Sequence, residues 1–209
     1  MSLPPNQLTA LVLAVSFSAG LNVYLTVAVL GGLARAGMLA LPASLHSLSS
    51  WYVIVPCLAL FAIEFVADKV PIVDLVWNAL HTFVRVPIAA LVAYHASSQL
   101  TPQMQILATA LGAAVALAAH GSKTALRTAV TPSPEPVSNI ALSTTEDAAA
   151  IGLTWFATHH PIIAAVIAIL ALLGIFLTAR SLLRAIQRPL RKLFGTELEE
   201  DKASPKPLP

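Results

Sequence analysis

The sequence predicts an all-α, polytopic transmembrane helical bundle of about six spans. Of its 209 residues, 57% are hydrophobic and only 11% charged, and the mean hydropathy is +0.79. A soluble domain carries about 25% charged residues to keep its surface solvated. Six stretches approach the roughly 20 apolar residues that a helix needs to cross the hydrocarbon core: roughly 8–33, 51–67, 74–96, 104–127, 142–158 and 161–183.

The first stretch follows "MSLPPNQ", which lacks the basic start of a secretory signal, and its apolar run continues to Leu33. It therefore reads as a retained span. Within it, Ser18 and Asn22 flank Ala19 and Gly20, a place where a helix can pack closely or break. "GMLALPASLHSLSS", with Gly37, Pro42 and a serine cluster, separates it from the second stretch. "SSQLTPQ" separates the third from the fourth. "TPSPEPVSN" then places three prolines in five residues, and missing amide donors exclude ordinary helix there. The fifth stretch, "LSTTEDAAAIGLTWFATHH", is short and weakly apolar, so it reads as re-entrant or partly spanning. Five or six crossings fit.

The net charge of +2 is too small to argue for nucleic acid. Basic residues set orientation. Six spans with both termini cytoplasmic, in a bacterial inner membrane or its equivalent, put Lys69, Arg127, Arg180, Arg184, Arg188, Arg191 and Lys192 inside and only Arg35 outside. Residues 1–185 then form the membrane domain, and 186–209 a basic, then disordered, tail. Its basic face suits anionic lipid headgroups at about 1 kcal/mol per base. A break near residue 100 divides the spans three plus three, which would give inverted halves; "SAGLNVYLTVAV" (18–29) faintly echoes "AHGSKTALRTAV" (119–130). A homo-oligomer is left open.

Charges within spans cost about 2.5–3.5 kcal/mol each at the helix centre, so their spacing marks inward faces. Glu64 and Asp68 are four apart, hence on one face. Lys69 follows them. Asp74, Asn78, His81 and Arg85 recur at four, three and four; His120, Lys123 and Arg127 at three and four. Glu146 and Asp147 head the fifth stretch. Such groups either pair structurally, as Asp68 with Arg127 or Glu146 with Lys123, or line a site. The lone Cys57 permits no intrachain disulfide and reads as a small buried hydrophobe. Adjacent His159 and His160 point in different directions on a helix, so no metal site is expected, and no cofactor. "HExxH", "GxSxG" and "GxxxxGK[ST]" are all absent, which argues against an enzyme.

"SAGLNVYLTV", "EFVADKVPIVDLVWNALHTFVRVPIAALVA" and "HGSKTALRTAVTPSPEPVSNIALSTTEDA" together resemble the domain-of-unknown-function 4126 membrane proteins of bacteria and plants, over roughly residues 18–155. The resemblance implies a multi-pass membrane protein without an established activity. Its recognisable residues fall on Asn22, Glu64, Asp68, Lys69, Asp74, His81, Arg85, His120, Lys123, Arg127, Glu135, Asn139, Glu146 and Asp147.

The functional expectation is a small transporter or permease for an unidentified small-molecule or lipid substrate that is anionic, such as a phosphate-bearing one. Asn22, Arg85, Lys123, Arg127 and Asn139 would bind it. Glu64, Asp68, Glu146 and Asp147 would couple a proton or cation, with His81 and His120 as relays. Lys69, Asp74, Asn78 and Glu135 are further polar candidates. A membrane scaffold with structural ion pairs is the alternative, and an intramembrane enzyme the third reading.

Overall fold

The computed structural model describes residues 3–130, 136–178, 180 and 181; the side chains of 71, 72, 75, 127–130 and 136–139 lie outside that description. The basic tail beyond residue 181 and most of the proline-rich connector lie outside it too. Among the described residues every regular element is helical. These are α1 (Pro5–Leu21), α2 (Val23–Arg35), a short 3-10 helix (Ala43–Ser49), α3 (Trp51–Ala67), α4 (Pro71–Ala96), α5 (Pro102–Val130) and α6 (Pro136–His159), then α7 (Pro161–Thr178). Residues 1–169 form one compact unit; a second begins at residue 170, within α7.

The segments 76–96, 102–126 and 161–178 are long and apolar enough to cross a bilayer, and the 3-10 helix with α3, bent by 59°, passes the same test when the two are taken together, as a broken span or a re-entrant loop. The fifth expected stretch is a 24-residue helix, α6. It starts at Pro136, earlier than expected, because a proline in the first helical turn surrenders a donor that has no partner there anyway.

The first expected span is the main correction. It breaks at Asn22, whose backbone is extended (φ −150°, ψ 102°), and α2 returns toward the end from which α1 came. Gln99 Nε2 donates to Leu3 O at 3.2 Å, tying the chain start to the end of α4. Ser44 Oγ, in the 3-10 helix that follows α2, donates to His95 O at 3.0 Å at that same end. Val12 of α1 packs in one cluster with Leu45, Ala93 and Ala96, and Val15 in another with Leu30 of α2. A straight helix would hold Val15 and Leu30 about 22 Å apart at 1.5 Å per residue. The stretch 8–33 is therefore a helical hairpin and not one continuous helix. α2 closes in a Schellman turn at Gly37 (φ +73°), where Met38 N donates to Leu33 O at 2.9 Å and Gly37 N to Ala34 O at 3.1 Å; the positive φ suits glycine.

The expected single span is thus two apolar helices of 17 and 13 residues, each shorter than a helix that crosses a bilayer. The echoing stretches also differ in backbone: 18–29 is broken, whereas 119–130 belongs to one helix.

α1 runs parallel to α5 at very close range. A Cβ on Gly20 would sit 2.5 Å from Ala116 O and 2.6 Å from Ala119 Cβ. One on Gly112 would sit 2.6 Å from Ala93 Cβ. Small residues permit this approach, as in membrane helix packing generally. The interior is correspondingly inverted: its largest fully buried side chains are Arg85, Lys123, His120 and Glu64, while Leu58, Ile63, Phe83, Ile106 and Leu170 face outward.

Candidate functional site

The hairpin tip meets the charged faces of α3, α4, α5 and α6. In an unbroken helix Leu25 N–H would bond Leu21 C=O. Here Asn22 Oδ1 accepts from Leu25 N at 3.1 Å, capping α2, and the Leu21 carbonyl accepts from Lys123 Nζ at 3.2 Å. Asn22 Nδ2 donates to Asp147 Oδ1 at 2.9 Å. One side chain thus ends α1, starts α2 and binds α6.

Lys123 is the hub. Besides Leu21 O, its ammonium lies 3.1 Å from Glu64 Oε1, 3.7 Å from Asp68 Oδ2 and 3.5 Å from Glu146 Oε2. Arg85 Nη2 also pairs with Glu64 Oε1. Lys123, Glu64 and Arg85 are almost wholly buried. Ser143 Oγ donates to Asp68 Oδ2 at 2.9 Å. Asp74 bonds Asn78, whose Oδ1 accepts from Arg85 Nη1 at 3.3 Å. A continuous polar path therefore joins Asp74 through Asn78, Arg85 and Glu64 to Lys123, and from there to Asp68 and Glu146.

His120 buttresses this path. Arg85 Nη1 approaches its Nδ1 at 2.8 Å, and a guanidinium can only donate. His120 Nδ1 must then accept, so the proton sits on Nε2, which donates to Asn78 O at 3.0 Å; the tautomer is assigned from this network. His81 turns elsewhere, its Nδ1 2.7 Å from Trp77 O and its ring stacked on Trp77 at 4.1 Å.

The structure brings together Asn22, Glu64, Asp68, Asp74, Asn78, Arg85, His120, Lys123, Glu146 and Asp147. Lys69 is outside the group: its ammonium folds back to Phe65 O at 2.8 Å. The side chains of Arg127, Glu135 and Asn139 lie outside the described residues. Sequence reasoning missed Ser143, which lies three residues before Glu146 and was findable by spacing, and the Leu21 carbonyl, which as backbone gave no signal. Among the described residues Glu64 Oε2, Asp147 Oδ2 and Arg85 Nε are buried without a hydrogen-bond partner.

Apolar helices turned outward around a buried ionic cluster define a polytopic helical membrane protein. The family described as "Domain of unknown function (DUF4126)" matches residues 9–181, and the chain belongs to it. No curated protein and no solved structure matches it.

Proposed function

We propose that the chain is a small transporter whose intramembrane site is the ionic cluster at the hairpin tip. The observation that carries this reading is the break at Asn22. It brings a helix N-terminus and a freed carbonyl to buried charges, the arrangement by which broken helices form sites in transporters. An anionic group, such as a phosphate, would displace Glu64 from Arg85 and Lys123, since both cations already bind one carboxylate oxygen. Glu64 would take up a proton as it leaves, and the unpartnered oxygens of Glu64 and Asp147 supply acceptors. In this reading His120 holds Arg85 in place rather than relaying protons.

Basic residues suggest the orientation. Lys69 lies at the end opposite Arg35, and the basic tail follows α7. With the Lys69 end in the cytoplasm, the cluster opens to the cytoplasmic half, and the hairpin puts the N-terminus on the other face.

The alternative is a scaffold, favoured by one observation: both buried cations are paired with carboxylates. Purified protein in liposomes separates the readings, through uptake of labelled inorganic phosphate and transbilayer movement of fluorescent phosphatidic acid. A transporter gives saturable flux that Glu64→Gln, Arg85→Gln and their double variant all abolish. A scaffold gives no flux above empty vesicles, and the double variant regains the thermal stability lost by each single one.

A further inference from the structure

A second feature lies away from the ionic cluster, at the end of the bundle where the hairpin opens. Between α1, α2, the 3-10 helix and the last turns of α4 is a cavity of about 530 Å³, walled by side chains such as Leu8, Val12, Val15, Leu30, Leu41 and Val92. That size falls within the usual range of ligand pockets, about 300–1,000 Å³. No residue lining it is charged.

Four polar side chains interrupt the apolar wall, Ser16, Ser98, Gln99 and Thr158, and of these only Ser16 is buried. Ser16, only 2% exposed, lines the cavity with its Oγ beside Gly112, 2.8 Å from where a Cβ on that glycine would lie. Other serines and threonines of these helices return their hydroxyls to the carbonyl four residues back, as Ser18 does to Ala14 O at 3.1 Å and Thr26 to Asn22 O at 2.8 Å. Ser16 makes no such bond among the described residues, so a buried hydroxyl is left to face the cavity. Water is a poor occupant of the buried end, where Ser16 is the one polar side chain of the lining and two to four polar partners are needed. An ion is worse, because nothing here would neutralise it.

We infer that this cavity is a binding site for an uncharged membrane lipid, its hydrocarbon chain against the leucines and valines and an oxygen acceptor at its leading end on Ser16 Oγ. The ligand comes from the bilayer, where a neutral amphiphile dissolves at high local concentration. The site lies apart from the ionic cluster, none of whose residues lines it.

The test is photolabelling of the full-length protein in detergent with a long-chain alcohol that carries a diazirine on its chain, followed by peptide mapping. Labels are expected on residues 8–16 and 38–45. An unlabelled long-chain alcohol should compete, and the matching carboxylate at alkaline pH should not. Ser16→Ala lowers labelling about three- to tenfold, the range that one hydrogen bond supports. Met38→Trp, at a position 57% exposed and so tolerant of change, blocks the mouth and lowers labelling as well. Labels spread evenly over outward faces of α3 and α7, equal competition by the carboxylate, or unchanged labelling in Ser16→Ala would each overturn the proposal.

Discussion

Asn22 and the two mid-helix prolines make an instructive contrast. Pro56 lies inside α3 and Pro87 inside α4, and both helices run on through them. Each proline removes one amide donor, and both sit on exposed faces. Asn22 keeps its donor and breaks the chain completely. A break at membrane depth needs substitutes for both halves of the lost bond. Asn22 Oδ1 supplies one at Leu25 N, and Lys123 Nζ the other at Leu21 O. A proline supplies neither.

The contrast can be broken at several points. The largest effect is expected at the ions on which the tip rests. Arg85→Gln strips a buried partner from Glu64 and should destabilise by about 3–5 kcal/mol, read as a fall in the thermal midpoint in detergent. Asn22→Ala removes a cap worth about 1 kcal/mol and leaves Asp147 short of a buried hydrogen bond, for about 1–3 kcal/mol more. Denaturant titration should show that loss, and Asn22→Ser, which keeps a capping oxygen, should recover part of it. Gly20→Ala drives a methyl against Ala116 O and should cost about 1–3 kcal/mol. The same change at Gly32, where an added Cβ meets nothing within 4 Å, should be silent in parallel melts. Smallest of all is Pro87→Ala, expected to leave stability equal or higher; a clear loss would mean that the ring is structural and the contrast misdrawn.

Much of the site was legible in the sequence because charges in apolar helices betray their faces. The spacings 64/68, 74/78/81/85 and 120/123 all point inward, and Glu146 does pair with Lys123 as one expected pairing had it. The hairpin was not legible. An uncharged run from 8 to 33 has the length and hydropathy of a span, and periodicity cannot distinguish crossing from turning back. Only Ser18, Gly20 and Asn22 marked the place, and both of the uses that they allow occur: Gly20 packs closely and Asn22 breaks the helix. Lys69 misled because adjacency to Asp68 in sequence placed it beyond the last turn of α3, where its side chain folds onto Phe65.

If the first apolar stretch turns back instead of crossing, both of its ends lie on one face of the membrane. Single cysteines at Leu3, Met38, Gln99 and Lys69, each in a Cys57→Ser background, can be labelled with impermeant thiol reagents on oriented vesicles. The hairpin predicts that the first three react from one face and Lys69→Cys from the other. Labelling of Leu3→Cys and Met38→Cys from opposite faces would mean that the stretch spans the membrane, and the account of the site built on its tip would fail.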